Sequence, residues 1–220
     1  MNEIQELAGF LPTLLAGAGV TIGVSLASFI LALALGLLLA LMRLSPLAAI
    51  RALAGCYIEF VRGTPLLLQL FFIYYVLPYG GLTLSPFYAG VLGLALNYAA
   101  YMAEVFRSGI QAVSIGQREA GLTLGMSTPL LMRRIIVPQA FRIVLPAIGN
   151  FFISIFKDSA LVSVITMRDL MFTGQLLASE TYRHFEIYAL VALIYFGISY
   201  PSSKLLSVLE DRLRPGRSAA

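Results

Sequence analysis

Long apolar runs separated by short polar stretches dominate this chain. Five of them are long enough to cross a bilayer as a helix, which takes about 20 residues. They cover residues 11–42, 50–77, 87–107, 143–165 and 187–207. The first exceeds a straight crossing, so it is expected to tilt or to project beyond one surface. Within it Gly19, Gly23 and Ala27 recur at four-residue spacing, which would let a neighbouring helix approach closely. Residues 1–10 are mildly amphipathic, with Glu3 and Glu6 and no Lys or Arg; without the basic flank of a signal peptide they are read as retained. The connection at 78–86, PYGGLTLSP, carries no charge, whereas 168–186 is a mixed-charge connection that includes the single histidine, His184. Pro138 and Pro146 are expected to break the fourth run into an arm outside the membrane and a spanning part. The fold class that follows is all-α and membrane-embedded, one transmembrane domain over 1–220 with about five spanning helices.

Composition removes the soluble alternative. Hydrophobic residues make up 59% and charged residues 12%, against about 25% charged in a soluble domain; mean hydropathy is +0.88. A net charge of +4 would suggest nucleic acid or anionic lipid for a soluble chain. Here the basic residues stand at the ends of apolar runs, so they report topology and no nucleic-acid partner. Arg43, Arg51, Arg107, Arg118, Arg133, Arg134, Arg142, Lys204, Arg212, Arg214 and Arg217 fall on one side of a five-span arrangement. The other side holds Arg168 and Arg183, balanced by Asp169, Glu180 and Glu186. The positive-inside rule then puts the amino terminus outside and the carboxyl terminus in the cytoplasm. Cys56, the single cysteine, excludes an intrachain disulfide and is expected as a buried small apolar residue in its run.

One polar, basic stretch interrupts this pattern, QREAGLTLGMSTPLLMRRIIVP at 117–138 within a loop spanning about 115–138. Residues 119–124 suit a short helix stopped by Gly125, where a left-handed cap costs least. Ser127 or Thr128 would cap a second helix with Pro129 at its first position. A helix, a corner and a helix result, projecting Arg118 and Glu119 from one arm and Arg133 and Arg134 from the other. Leu122, Leu124, Leu130 and Leu131 would form an apolar contact face.

Glu119-Ala120-Gly121, then Gly125, then Ile135, Val137 and Pro138 reproduce the spacing of the cytoplasmic loop of ABC importer permeases, E-A-A, three residues, G, nine residues, I-x-L-P. Gly121 stands for the second Ala and Val137 for Leu, both small or apolar replacements. RGTPLLLQLFFIY at 62–74 and FKDSALVSVI at 156–165 resemble the polar amino acid permease subfamily in particular, and the resemblance covers nearly the whole chain. It implies that the loop is a coupling helix seated in a groove of a separate ATPase subunit, with Arg118, Glu119, Ala120, Gly121, Gly125 and Pro138 at the coupling positions.

Candidate chemistry lies in the ionisable groups inside the runs: Glu59, Arg62, Glu104, Lys157 and Asp158. Each is costly against lipid and is expected to face a cavity or a partner. At about 1.5 Å rise per residue, Arg62, Asn97 and Asp158 fall in one middle layer, with Glu104 two turns nearer the cytoplasm. In Arg62-Gly63-Thr64-Pro65, Gly loosens the backbone and Pro removes a hydrogen bond where Thr64 would cap a restarted helix. A broken helix at that depth with Arg62 beside it would receive a carboxylate. A proline kink with Arg62 paired to Glu59 is the alternative, and the two are compatible. Asp158 and Glu104 would answer an ammonium or a cationic side chain, or one of them would pair internally with Lys157. Asn97, Tyr101 and Ser159 would supply substrate hydrogen bonds or bind helices to one another. Gln69 and Gln175 receive no role. His184 reads as an interfacial surface residue. No G-x-x-x-x-G-K-[ST], catalytic triad or metal-ligand spacing occurs, so no cofactor or metal is expected in this chain.

The resemblance implies a non-enzymatic permease subunit of an ATP-driven importer, multi-pass in the bacterial inner membrane, that carries polar, basic or large polar amino acids. ATP and Mg would be bound by partner ABC ATPase subunits. A second permease, identical or paralogous, and an extracytoplasmic solute-binding protein would complete the assembly. The alternatives are a proton-coupled secondary carrier driven by Asp158 or Glu104, and an intramembrane lipid enzyme.

Overall fold

The computed structural model describes residues 3–213. Arg214 and Arg217, counted above with the cytoplasmic charges, lie outside the described residues. Every regular element is helical: α1 (Glu3–Arg43), α2 (Ala48–Arg62), α3 (Leu66–Phe71), α4 (Pro86–Gln111), α5 (Ile115–Thr123), α6 (Thr128–Leu131), α7 (Val137–Asp158), α8 (Leu170–Thr181) and α9 (His184–Leu213). Four stretches are long and apolar enough to cross a membrane, and a fifth counts if α2 and the helical turns from Leu66 to Gly80, bent by 104°, make one span.

The packing of α1 on α4 supports the fifth crossing. A Cβ added at Gly36 would lie 2.8 Å from Met102 Cβ, Arg43 reaches Glu104, and Val24 joins Ala89 in the main core. Early residues of α1 thus meet early residues of α4 and late meet late, so the helices run parallel. The chain between two parallel neighbours has to return across the membrane, and the bent pair supplies that return. By contrast α7 and the helical turn that continues it to Ile165 run antiparallel to α4, with Gly109 against Val144 and Gly90 against Val162. It is also antiparallel to α9, with Gly149 against Leu206 and Phe156 against Tyr195.

The close approaches in α1 are not those expected. Gly19 and Gly23 have open space around them, whereas Gly17 abuts Asp169 and Thr173 and Gly36 abuts Met102 and Ala99. The packed stripe is Leu14, Ala18, Thr21, Ser25, Ser28, Ala32 and Ala40, a face of helical period rich in small residues. Several faces of α1 carry small residues at that spacing, and only the position of α4 selects one. In lipid, packing rather than hydrophobic transfer holds helices together, so the stripe that lets backbones approach wins.

Two further expectations are corrected. Residues 128–165 form one continuous 38-residue helical stretch, not an arm and a separate span. A π-turn at Met132–Ile136 ends two residues before Pro138, and a wider turn accommodates a residue with no N–H to donate. Pro146 sits inside α7 without ending it. The connection at 168–186 contains α8, which starts because Asp169 accepts from the Phe172 and Met171 amides as its N-cap. Thr21 Oγ1 accepts from the Leu170 amide at 3.0 Å, pinning that start to α1.

Candidate functional site

The site grows from the break between α2 and α3. Helix α2 ends at Arg62, and Pro65 occupies the cap of α3 in an extended conformation (φ −63°, ψ 136°). Proline disfavours helix in the residue before it and has no N–H to continue the ladder. The restart is therefore at Leu66, and Thr64 does not cap it. Thr64 Oγ1 turns back and donates to the Phe60 carbonyl at 3.0 Å. Carbonyls freed by the break are met by Gln69, whose Nε2 donates to Val61 O at 2.9 Å and lies 2.8 Å from Thr64 Oγ1.

Beside the break lies a cavity of about 340 Å³ walled by Thr64, Pro65, Leu66, Asn97, Tyr98, Tyr101, Phe151, Ser154 and Asp158. It thus brings together Thr64, Asn97, Tyr101 and Asp158 from three elements. Tyr98 Oη donates to Asp158 Oδ2 at 2.6 Å, tying α4 to the end of α7. Asn97 Nδ2 donates to Gln69 Oε1 at 3.1 Å. Tyr98 packs edge to face and Tyr101 at a tilt against Phe151, with ring centroids 5.9 and 6.4 Å away. Arg62 stands at the edge rather than in the wall, its guanidinium carbon 5.3 Å from the Tyr101 ring centroid. That is a cation–π distance, and no Arg62–Glu59 ion pair forms among the described residues.

Two expected contacts lie elsewhere. Glu104 does not line the cavity: its Oε2 accepts from Arg107 at 2.7 Å and its Oε1 is 3.7 Å from Arg43 Nε. An internal pair does hold an acidic group, but with arginines of α1 and α4, not with Lys157. Ser159 is fully buried and donates to the Phe156 carbonyl at 2.7 Å. Lys157 makes no ion pair among the described residues; it points into a separate cavity of about 600 Å³ bordered by Tyr188, Tyr195 and Tyr200.

Tyr98, Phe151, Ser154 and Gln69 were not picked out in the sequence. Tyr98 is three residues before Tyr101, hence on the same helical face, and that spacing was the available signal. Gln69 was conspicuous only as an amide in an apolar run. A wall with one carboxylate, one amide, hydroxyls and aromatic rings, and a guanidinium at its rim, suits a small zwitterion. Its volume lies at the low end of the roughly 300–1,000 Å³ of small-molecule pockets.

The second candidate surface is the corner between α5 and α6. Gly125 has φ +75°, Met126 N donates to Gly121 O and Gly125 N to Leu122 O, which is a Schellman cap. Ser127 holds the cap position of α6 without a side-chain hydrogen bond, and Pro129 is the second helical residue, not the first. Gly121 is buried, and a Cβ there would lie 2.5 Å from Leu131 Cδ1. The replacement of Ala by Gly thus lets the two arms close. Leu131 is buried in that contact, contrary to its expected place on the outer face, while Leu122, Leu124 and Leu130 remain exposed. Glu119, Ala120 and Pro138 are exposed and Arg118 is half-buried, with Nη2 near the Ile110 carbonyl.

A family model described as binding-protein-dependent transport system inner membrane component matches residues 32–215. The probable glutamine ABC transporter permease protein GlnM of Bacillus subtilis (strain 168) is 40% identical over 212 residues, 96% of this chain and 94% of the relative. The probable amino-acid ABC transporter permease protein PatM of Vibrio harveyi is 41% identical over 200 residues, 90% of this chain and 88% of the relative. A solved structure described as an amino acid ABC transporter with histidines superposes with a TM-score of 0.91 at 42% identity, covering 96% of this chain and 99% of the other. An inward-facing MetNI methionine ABC transporter shares the fold at 16% identity, TM-score 0.79, with 97% and 100% covered.

Proposed function

The chain belongs to the binding-protein-dependent transport system inner membrane component family, in its amino-acid ABC permease branch, and on that premise we propose that it forms the path for a polar amino acid in an ATP-driven importer. The observation that carries the substrate reading is the cavity that gathers Thr64, Asn97, Tyr101 and Asp158 at the helix break. Asp158 receives the ammonium or a cationic side chain. Arg62 at the rim receives the carboxylate, while the Thr64 hydroxyl, whose proton goes to the Phe60 carbonyl, shapes the wall beside it. One acidic group inside the cavity and none of the other sign in its wall favour a basic or large polar amino acid over an acidic one.

The rest of the assembly follows the family. Two permease subunits, identical or paralogous, enclose one path in the bacterial inner membrane, and a solute-binding protein delivers substrate from outside. Two separate ATPase subunits bind ATP and Mg, and each holds one α5–α6 corner. Closure of the ATPases moves the corners together and rocks the helices that bear them. The exposed Leu122, Leu124 and Leu130 beside Glu119 support this docking. Glu104, held by two arginines, is assigned to the structure around the path rather than to the substrate. Family membership leaves a proton-driven carrier without support.

Asp158→Asn in the reconstituted importer tests the site. It removes charge while keeping shape, and loss of a buried partner charge costs about 3–5 kcal/mol. Uptake of arginine falls by well over about tenfold, and uptake of glutamine falls far less. Equal small losses for both would make Asp158 a structural acceptor for Tyr98 only.

A further inference from the structure

Gln69 lies outside the wall of the cavity, yet it touches two of the residues that shape it. Its amide nitrogen is within hydrogen-bond distance of three oxygens, Val61 O at 2.9 Å, Thr64 O at 3.2 Å and Thr64 Oγ1 at 2.8 Å. Two of these are carbonyls, which only accept, so the side-chain nitrogen must be the end that faces them. That assignment leaves Oε1 on the other side, where it accepts from Asn97 Nδ2 at 3.1 Å.

The consequence reaches Asn97. An asparagine can offer either end of its amide to a ligand, and the two ends select opposite partners. Asn97 is almost fully buried, at 6% exposure, so a flipped amide would bring its own oxygen against Gln69 Oε1, two acceptors in contact with no hydrogen between them. With Nδ2 committed to Gln69, the carbonyl oxygen is the end left for the cavity. We propose that Gln69 is a positioning residue that locks the α2–α3 break through Val61 and Thr64 and, by holding Asn97 Nδ2, makes Asn97 present an acceptor to the ammonium-type donors of the substrate. Asn97 and Asp158 then offer like chemistry from two walls, and Thr64 is held where the helix restarts. Donor-poor substrates, or those that present a carboxylate to that wall, are disfavoured. This inference rests on the reading of the cavity as the substrate site.

The test is equilibrium binding of radiolabelled arginine, lysine, histidine and glutamine to the purified permease–ATPase complex, with basal ATP hydrolysis measured alongside. Gln69→Leu keeps size and removes every hydrogen bond. It lowers affinity for the best-bound amino acid at least about tenfold, as expected for a lost unit of two or more hydrogen bonds, while complex yield and basal hydrolysis stay near the parent's. Gln69→Glu places a carboxylate against the Val61 and Thr64 carbonyls; it binds poorly when ionised and recovers as pH falls and the side chain regains a donor, in contrast to the parent's own profile. Adding Asn97→Leu to Gln69→Leu costs little more, because the pair acts as one unit. Parent-like binding by both Gln69 variants, with binding lost in Asp158→Asn, overturns the positioning role and leaves the site intact. Failure of both variants to assemble at any pH makes Gln69 a folding determinant and likewise overturns it. Absence of saturable binding of all four amino acids to the parent overturns the site reading and this inference together.

Discussion

Asp169 shows how much one residue at an element boundary can carry. It is fully buried between the fourth span and α8, where its carboxylate caps two amides. Burial pushes its carboxyl up from the usual 3.8 to about 6, against the pull of the capping amides. The titratable group facing it from α9 is Tyr195. Because the folded pKa lies above the unfolded one, the folded protein holds the proton more tightly. The stability from that proton is complete below about pH 4 and is lost as pH rises through about 6. Asp169→Asn keeps a capping oxygen, since Asn is as good an N-cap as Asp, and has nothing to ionise. Thermal unfolding in detergent micelles between these pH values is expected to show the parent losing on the order of 1–3 kcal/mol relative to the variant. Parallel pH profiles would mean that Asp169 titrates normally despite its burial.

At the scale of elements, the joint of α1 with α4 rests on glycine and alanine rather than on large side chains. Gly36 faces Met102 Cβ at 2.8 Å and the Ala99 carbonyl at 3.2 Å from an added Cβ. The second neighbour is backbone, so the joint has no flexible tip to move aside. Gly36→Leu is expected to force the helices apart and lower stability by about 1–3 kcal/mol, the range for overpacking a tight contact. Gly23→Leu meets open space and is expected to leave thermal stability in micelles unchanged. Equal effects of the two would contradict the stripe through Thr21, Ser25, Ala32 and Gly36. The same joint carries Arg43 to Glu104, which links the ends of α1 and α4 near the corner that meets the ATPase in the proposed assembly.

Across the whole molecule, parallel α1 and α4 require the bent α2–α3 pair to cross, and the Lys and Arg asymmetry is expected to orient all five spans with the carboxyl terminus in the cytoplasm. Impermeant thiol labelling of intact cells checks this in a Cys56→Ser background, which is needed because the native Cys56 is exposed, not buried as its apolar run suggested. Thr83→Cys lies in the exposed uncharged connection before α4 and is expected to react from outside. Ser127→Cys lies at the α5–α6 corner and reacts only after the membrane is opened. The reverse pattern would invert the orientation and move the corner away from any cytoplasmic ATPase.

How much of this was legible beforehand depends on the range of the interaction. Membrane class, the third span and the Gly125 corner are local matters: apolar run length, charge at run ends and a left-handed cap are set within a few neighbouring residues. The break at Arg62-Gly63-Thr64-Pro65 was visible for the same reason, although its exact restart was not. Other assignments needed the tertiary structure because their partners are remote. Gln69 meets Asn97 across 28 residues and Tyr98 meets Asp158 across 60. Glu104 is held first by Arg107, one turn on in the same helix and so within local reach, and only its second partner, Arg43 of α1, is remote. Small residues occur on several faces of α1, and only the backbone of α4 decides that Gly36 rather than Gly23 must be glycine. By itself the sequence determined which segments enter the membrane and where the chain must turn, because lipid solvation and backbone stereochemistry act on each segment alone. Which polar groups meet at the helix break, and which of them are spent on internal partners, was decided only by packing, because a buried group's role is set by the partner it finds.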